Sequence, residues 1–427
     1  MPAPSVTALL ILALVIILFI TKPIPASAVG CLGLVLMVLL GVCPFEEAFS
    51  GFSSSIVILM ASAMIVGLAM FKTGAAQIIG RLVIHLSQGN EKLFLMASCI
   101  VAGVLSMFLA NTAILAAFIS IVDSVCRTSS KIKQQNIVLP LACSVMFGGA
   151  CTLIGCTPQL TANALLLKMT GTEMTMWTLT APGVVIFILF LLYVALFGHR
   201  YGKSIWGSRN AVGMGVDEEK LRSIMHADYD KRQVKIMMVI TVLMILSYIA
   251  GVIPTALTAV IAALLCVAFR LCTVSEIERE LNWETAVFLA ACLGLAEALT
   301  VSGAGELIGN VVHAALGDIS SPFVVFAALV LLTLFISQFI TNSTAIIITL
   351  PIALSLCEYY GFNPMSFCVG ITFAASFACC TPLAAAQITM TQVAGYEFSD
   401  YLKYCWPLTL VSYLGILVFV PMFFPLV

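Results

Sequence analysis

The sequence predicts an all-α polytopic membrane protein with two inverted-topology repeats, each holding five membrane crossings, a re-entrant helical hairpin and a broken helix. Three observations predict this class. The 427 residues are 62% hydrophobic and only 9% charged, apolar runs recur at membrane-spanning length, and blocks of the first half return in order in the second. Since soluble domains carry about 25% charged residues, we expect this chain to lie in a lipid bilayer. The net charge of -1 gives no indication of nucleic-acid binding.

Apolar runs mark the membrane-spanning helices. A helix needs about 20 apolar residues to cross the hydrocarbon core, and runs near this length lie at 5–20, 26–42, 54–71, 180–198, 236–252, 255–269 and 405–427. Helices are expected because backbone groups cannot stay unpaired in lipid, and these runs lack the alternation of a barrel strand. No Lys or Arg precedes the first run, so we expect a span rather than a cleaved signal. The localisation that we expect is a prokaryotic plasma membrane.

Repeated blocks indicate an internal duplication. "SMFLANTA" from Ser106 and "SQFITNSTA" from Ser337 share the pattern S-x-F-[LI]-[AT]-N. The other matched pairs are "TGAAQIIG" (73–80) with "SGAGELIG" (302–309), "CTP" (156–158) with "CTP" (380–382), and "GTEMTMW" (171–177) with "GYEFSDY" (395–401). We therefore divide the chain into a first repeat, 1–198, and a second repeat, 236–427.

The segment between the repeats, 199–235, concentrates charge. It holds eight Lys or Arg and five Asp or Glu, a composition that favours a solvated cytoplasmic linker over a regulatory or partner-binding segment. Basic residues mark the cytoplasmic side of a membrane protein, and they flank the predicted hairpin 93–126 at Lys72, Arg81, Lys92, Arg127, Lys131 and Lys133. The second hairpin, 322–357, has only acidic flanks. The first hairpin is thus expected to enter from the cytoplasm, the second from outside, and both termini to be external.

Each half offers two interruptions in its helices. The hairpin tips are "LANTA" (109–113) and "ITNSTA" (340–345), and the broken helices are expected at 136–170 and 365–395. Pro158 and Pro382 cannot donate to a helix and disfavour helix in the preceding residue, so the chain should open at Thr157 and Thr381. Inverted repeats with interrupted helices are typical of transporters, whose sites lie near the midplane where the breaks meet.

The interruptions supply hydroxyl, amide and carbonyl oxygens without formal charge. Hard cations prefer oxygen ligands, whereas an anion can be held by hydroxyls, amide N–H groups and helix N-termini. Such groups together predict cation-coupled anion uptake. Ser, Thr and Asn in membrane helices also serve as interhelical hydrogen-bonding groups, but the repetition of the pattern in both halves favours a functional role.

Other functional classes have less support in the sequence. The acidic candidates for proton transfer, Asp123 and Glu297, have no counterpart in the other half. Lys168, close to the first broken helix, could neutralise substrate charge or extend to the membrane interface. No nucleophile–base or metal constellation predicts an enzyme, and the 15 cysteines, without a C-x-x-C pair, are expected to be buried and reduced. Anion exchange, sodium/proton antiport and an ion channel stay open as alternatives.

These residues resemble the divalent-anion/sodium symporters, which carry dicarboxylates, citrate or sulfate. The resemblance covers essentially the whole chain and rests on "ANT" after Ser106, "TNST" after Ser337, "GGACTLIGCTPQL", "CCTP" and the ending "GYEFSDYLKYCWPLTL". It implies a homodimer in which a transport part moves against a scaffold part as an elevator. It also implies sodium as the coupling ion.

The resemblance further implies the site residues. Substrate contacts would be Asn111, Thr112, Thr341, Asn342, Ser343 and Thr344, bordered by Thr157, Pro158, Thr381 and Pro382. One sodium ion would bind near Ser106, Asn111 and the backbone around Gly155, and a second near Ser337, Asn342 and the backbone around Cys380. Ala110 replaces the family's serine in the first tip, so the choice between a di- or tricarboxylate and sulfate stays open.

Overall fold

The computed structural model describes residues 4–21, 23–75, 90–128, 132–206, 230–281, 283–304, 321–382 and 385–427. Within these ranges the regular structure is helical throughout and contains no β-strand. The prediction of an all-α protein is therefore confirmed.

The first half contains ten α-helices within the described residues. They are α1 (Pro4–Thr21), α2 (Ala26–Leu39), α3 (Phe45–Ala48), α4 (Ser55–Lys72), α5 (Glu91–Ser106), α6 (Asn111–Thr128), α7 (Val138–Gly149), α8 (Thr157–Thr170), α9 (Thr180–Tyr193) and α10 (His199–Trp206). Short 3-10 turns lie at Ser50–Ser53 and Gln134–Asn136, and a π-helical segment, Val194–Gly198, joins α9 to α10.

The second half adds nine α-helices in the part of the chain that the structure describes. They are α11 (Lys231–Ala250), α12 (Thr255–Ala268), α13 (Val274–Glu280), α14 (Trp283–Val301), α15 (Pro322–Ile336), α16 (Asn342–Tyr360), α17 (Pro364–Ser376), α18 (Ala386–Met390) and α19 (Phe398–Phe423). A 3-10 turn, Thr391–Ala394, follows α18.

Apolar surface identifies the helices that face lipid. Among the described residues, five helical stretches are long and apolar enough to cross a membrane: Ser55–Lys72, Thr180–Trp206, Lys231–Ala250, Asn342–Tyr360 and Phe398–Phe423. Large apolar side chains stand exposed on their surfaces and on shorter helices, with Leu39 at 74% and Met422 at 73% exposure. In a monomeric soluble protein, contiguous apolar surface of this kind is rare. The chain is a multi-pass membrane protein.

Two helical hairpins occupy the regions where interruptions were predicted. α5 and α6 meet at a turn just before Asn111, and α15 and α16 meet at a turn just before Asn342. Two further interruptions separate α7 from α8 and α17 from α18. α7 ends at Gly149 and α8 begins at Thr157, while α17 ends at Ser376 and α18 begins at Ala386. Non-helical backbone of this kind is tolerated at membrane depth only against protein or a polar cavity.

The beginning of the charged linker is ordered and packed, which differs from the expectation of a wholly solvated segment. Trp206, at the end of α10, is 1% exposed, and its indole N–H donates to the Asn136 side-chain oxygen at 2.9 Å. Lys203 forms an ion pair with the buried carboxylate of Glu91. The middle of the linker, 207–229, lies outside the described residues, as do 76–80 and 305–309 of the repeated blocks.

Candidate functional site

A cavity of about 440 Å³ lies where the two hairpin tips meet the first broken helix. Most of the residues proposed above for substrate contact line it: Asn111, Thr112, Thr157, Pro158, Thr341, Asn342 and Ser343. Gly155, proposed for the first sodium site, lines it as well. The structure thus brings both tip asparagines to one cavity, as the duplicated pattern predicts. Thr344, the residue after Ser343, lines an adjoining cavity of about 420 Å³. Thr341 lines both cavities.

Three helices that each follow an interruption of the chain begin at this cavity. α6 begins at Asn111, α8 at Thr157 and α16 at Asn342, and each of these residues lines the cavity wall. The first N–H groups of a helix have no partner within the helix and carry a partial positive charge. This arrangement can hold an anion without any cationic side chain. Indeed, no Lys, Arg or His is found among the described lining residues, and the one acid is Glu284.

Three oxygen atoms converge beside the first tip. The Ser106 hydroxyl contacts the side-chain oxygen of Asn111 and lies 2.7 Å from the carbonyl oxygen of Val145. Both partners accept hydrogen bonds only, so the hydroxyl hydrogen is the single proton that the three oxygens share. Ser106 is fully buried. A compact, oxygen-rich and uncharged cluster of this kind suits a hard cation.

The same contacts recur beside the second tip. The Ser337 hydroxyl lies 3.1 Å from the side-chain oxygen of Asn342 and 2.9 Å from the carbonyl oxygen of Ala375. Ser337 is also fully buried. In each half, a serine at the end of one hairpin helix therefore links the asparagine of the next helix to a backbone carbonyl in the broken helix.

Glycines allow the first broken helix to approach Asn111 closely. A Cβ atom at Gly149 would lie 2.6 Å from the Asn111 Oδ1 atom, and one at Gly155 would lie 2.0 Å from the Gly149 carbonyl oxygen. The Cβ atom at Gly155 would meet backbone atoms, so only glycine fits there. A Cβ atom at Gly149 would displace the Asn111 side chain. The Asn111 carboxamide N–H group donates to the Cys156 sulfur, which fixes the orientation of its oxygen toward Ser106.

The comparison with known proteins now defines the family. A model of the citrate transporter family, CitMHS, matches residues 16–330 and 319–426. The chain belongs to this family. Its members are transporters, in agreement with the prediction of a carrier rather than an enzyme, and the resemblance to the divalent-anion/sodium symporters is confirmed.

Two sodium-dependent dicarboxylate transporters SdcS are similar to this chain. That of Staphylococcus saprophyticus is 22% identical over 399 residues, covering 86% of this chain and 75% of that protein. That of Staphylococcus aureus strain MW2 is 23% identical over 424 residues.

Other similar proteins agree on a transporter fold. The uncharacterized transporter YfbS of Escherichia coli is 30% identical over 185 residues, which are 43% of this chain and only 30% of that protein. The chain therefore matches about three tenths of this longer relative. Among solved structures, MtrF of Neisseria gonorrhoeae superimposes with a TM-score of 0.67 at 13% identity, covering 100% of this chain and 96% of that one. The YdaH transporter of Alcanivorax borkumensis superimposes with a TM-score of 0.63.

Besides Ser106, Ser337 and Thr344, three predicted site residues lie away from the cavity wall. Thr381, Pro382 and Cys380 are not among the described residues that line it. The Thr381 hydroxyl instead donates to the backbone carbonyl of Gln338, and the Cys380 N–H group donates to the Gln338 side-chain oxygen at 2.9 Å. These contacts hold the second tip against its broken helix, so Thr381 and Pro382 lie outside the described cavity lining, and their contact with the substrate stays a prediction.

Hydrogen bonds identify residues of the two halves that make equivalent contacts. The Thr152 hydroxyl donates to the Met107 carbonyl in the first half, as the Thr381 hydroxyl donates to the Gln338 carbonyl in the second. Thr152 is therefore the counterpart of Thr381, and the two "CTP" blocks do not correspond. The place of Thr157, the first residue of α8, is taken by Ala386, the first residue of α18, which also lines the cavity.

Some cavity residues carry no signal in the sequence. Met60 and Met64 on α4, together with Glu284, Thr285 and Phe288 on α14, reach the cavity only because the helices pack around it. Gln338 occupies the place of Met107 in the repeated pattern and binds the second break. In the sequence, the role of Gln338 is indicated by the polar residue after Ser337, where the first half has an apolar residue after Ser106.

Lys168 and Glu297 pair with each other. The Lys168 ammonium nitrogen lies 2.7 Å from the Glu297 carboxylate and 3.2 Å from the Ser50 hydroxyl. Lys168 does not appear among the cavity-lining residues that the structure describes, which argues against neutralisation of substrate charge by this side chain. The pair joins α8 to α14 at the ends of these helices away from the cavity.

Three of the 15 cysteines converge. The sulfur atoms of Cys143, Cys379 and Cys405 lie within 4.8 Å of one another, and all three side chains are fully buried. They come from α7, from the break after α17 and from α19, so their proximity could not be read from sequence spacing. The cluster lies outside the cavity lining described above.

Proposed function

We propose that this chain is a secondary-active transporter that takes up a small divalent anion, a di- or tricarboxylate, together with sodium. One observation carries the proposal. The two tip asparagines and Thr157, each the first residue of a helix, line one cavity whose described lining contains no cationic side chain, and each asparagine also contacts the serine of an oxygen cluster. Positive charge for a dianion must then come from helix dipoles and from bound cations.

Electrostatics makes the coupling between cation and anion reciprocal. Two unit charges 4 Å apart attract by about 4 kcal/mol at an effective dielectric constant of 20. A cation held by Ser106 and Asn111, or by Ser337 and Asn342, raises the affinity of the cavity for an anion. The anion raises the affinity for the cation by the same factor. In a carrier built on this linkage, the cation and the anion each bind weakly when the other is absent.

The proposed sodium ions occupy the two oxygen clusters. The first is assigned to Ser106, Asn111, the Val145 carbonyl and the backbone around Gly155. The second is assigned to Ser337, Asn342, the backbone around Cys380 and the Ala375 carbonyl, which the Ser337 hydroxyl contacts at 2.9 Å. The names of the relatives, sodium-dependent dicarboxylate transporters, support sodium as the coupling ion.

The proposed mechanism is an elevator within a homodimer. Residues 1–198 and 236–427 would form inverted repeats, with hairpins entering from opposite sides, a cytoplasmic linker and external termini. The recurrence of the Ser–Asn–carbonyl contact in each half supports the duplication. In this arrangement the tips and broken helices carry the site across the membrane, while α4 and α14 belong to the scaffold.

Uptake into proteoliposomes tests the proposal. Radiolabelled succinate, citrate, malate and sulfate are offered with an inward sodium gradient, or with choline in its place. We expect accumulation of at least one carboxylate above its equilibrium level only when the sodium gradient is present. Uptake of every anion at a rate independent of sodium would contradict the coupling, and counterflow without a sodium requirement would instead identify an exchanger.

A further inference from the structure

One side of the cavity is apolar. Met60, Ala63 and Met64 line it from α4, and their spacing of three and four residues places them on one face of that helix. Phe288 on α14 and Phe108 of the first tip also line the cavity. Met60 is 3% exposed and Phe288 is 6% exposed, so both rest against the protein rather than against lipid.

The cavity is larger than an inorganic dianion requires. A buried cavity of about 150 Å³ is enough to bind benzene, a ligand of six heavy atoms. The cavity here, of about 440 Å³, is close to three times that size. Sulfate, with five heavy atoms, would reach the tips and leave the α4 face untouched. A four-carbon dicarboxylate would span the tips, yet it too offers the methionines no side group to contact.

We propose that the site takes dicarboxylates that carry an apolar substituent, with both carboxylates at the hairpin tips and the substituent against Met60, Met64 and Phe288. This inference rests on the proposed function and narrows its substrate class. Methionine side chains are flexible and polarizable, so they can adapt to substituents of different shape. Each methylene buried against such a wall tightens binding about fourfold.

The same apolar face has a second physical explanation. If the transport part slides past α4 and α14, a surface without hydrogen-bonding groups lets it move without leaving polar groups unpaired. On that explanation the wall does not contact the substrate, and a substituent gains no affinity from it. The two explanations therefore differ in a measurable preference among anions.

Competition among matched succinates separates them. The purified full chain in proteoliposomes takes up radiolabelled succinate with a sodium gradient, and the competitors are succinate, 2-methylsuccinate, benzylsuccinate, malate and sulfate. Malate is the matched control because it carries a hydroxyl group where 2-methylsuccinate carries a methyl group. We expect 2-methylsuccinate to compete at least threefold more strongly than succinate and about tenfold more strongly than malate. Equal competition by all three, or a preference for malate, would overturn the inference.

A variant assigns the preference to the wall. Met64→Gln keeps the length of the side chain and adds polar atoms, and it should remove the advantage of 2-methylsuccinate over succinate. Met96→Gln, on α5 and half-buried away from the cavity, is the control and should keep the wild-type preference. A Met64→Gln protein with unchanged selectivity contradicts the assignment.

Thermal stabilisation of the purified protein by the same anions distinguishes failure of the proposed substrate class from failure of the proposed function. Stabilisation by succinate but not further by 2-methylsuccinate overturns only the substrate class. No stabilisation by any anion in sodium, together with no succinate uptake, overturns the proposed function and this inference with it.

Discussion

The rings of Phe147 and Phe377 stack face to face, with centroids 4.2 Å apart and planes inclined by 9°. Both are buried. Each ring lies two residues beyond the backbone carbonyl that a tip serine contacts, Val145 in the first half and Ala375 in the second. The two broken helices are thus packed against each other immediately beside the two oxygen clusters, so displacement of one break should disturb both.

The tip asparagines should be indispensable for transport. Asn111→Ala or Asn342→Ala removes an oxygen from a cluster and a side chain from the cavity, and we expect sodium-driven uptake to fall at least a hundredfold. Elution on size exclusion should not change, because neither side chain supports the overall packing. Asn363→Ala, which removes a half-buried helix cap from α17 far from the cavity lining, is the control and should transport normally. Wild-type uptake by either tip variant would exclude that asparagine from the site.

Substitution of Gly149 should be as severe as loss of the asparagine it touches. The Cβ atom of Gly149→Ala would lie 2.6 Å from the Asn111 Oδ1 atom and must displace it. We therefore expect uptake to be lost while the protein still inserts into the membrane. Gly415→Ala is the matched control, because its Cβ atom would meet its nearest neighbour at 3.5 Å and fits without movement. Equal uptake by both variants would mean that Asn111 has freedom to move.

Thr157 and Thr381 should fail in different ways. Thr157→Val alters the cavity wall, so we expect the substrate KM to rise with little change in melting temperature. Thr381→Val removes a buried hydrogen bond to the second tip, which typically costs about 1–3 kcal/mol, so the melting temperature should fall. Thr152→Val should behave like Thr381→Val, because its hydroxyl makes the equivalent contact. A raised KM without loss of stability in Thr381→Val would restore that residue to the substrate site.

Lys168 and Glu297 should act as a structural pair. Lys168→Met or Glu297→Gln alone leaves a half-buried charge without its partner, so each should lower the melting temperature, and the double variant should recover part of the loss. If Lys168 contacted the substrate instead, the double variant would keep a raised KM.

The exposed pair Lys72–Glu276 serves as the control for the single and double variants of Lys168 and Glu297. The Lys72 ammonium group beside it lowers the pKa of Glu276 to about 2. The stabilising contribution of the pair is therefore complete above about pH 4.5, the usual pKa of a glutamate. It is lost as the pH falls from there through about 2. Its removal by Lys72→Met should change stability little, because exposed pairs contribute about 0–1 kcal/mol.

The elements of the fold were largely predictable because lipid imposes simple rules. The apolar run 26–42 became Ala26–Leu39, and the hairpin predicted at 322–357 became two helices that meet before Asn342. Proline and glycine located the first break for local reasons of backbone geometry. The pairing of Ser106 with Asn111 follows from the tight turn between two helices that the pattern itself encodes.

The alignment of the second break was not predictable from matching letters. α8 has 14 residues, whereas α18 and the turn after it have five and four. Because the second segment is shorter, the letters "CTP" at 380–382 match those at 156–158 without holding the same place in the structure. The first "CTP" lies at the start of α8, whereas the second lies before α18 begins at Ala386. The apolar wall of Met60, Met64 and Phe288 depends on packing between helices far apart in the chain, which no local pattern records.

Sodium dependence of anion binding is the most direct measurement of the central claim. Purified protein is titrated with succinate and citrate, and its thermal stability is followed in sodium chloride and in choline chloride of equal ionic strength. We predict stabilisation in sodium and little in choline, with each anion lowering the sodium concentration needed for half-maximal effect at least fivefold, within the usual range of coupling between sites. Equal stabilisation in both salts would contradict a site in which uncharged oxygens hold the cation and the anion together.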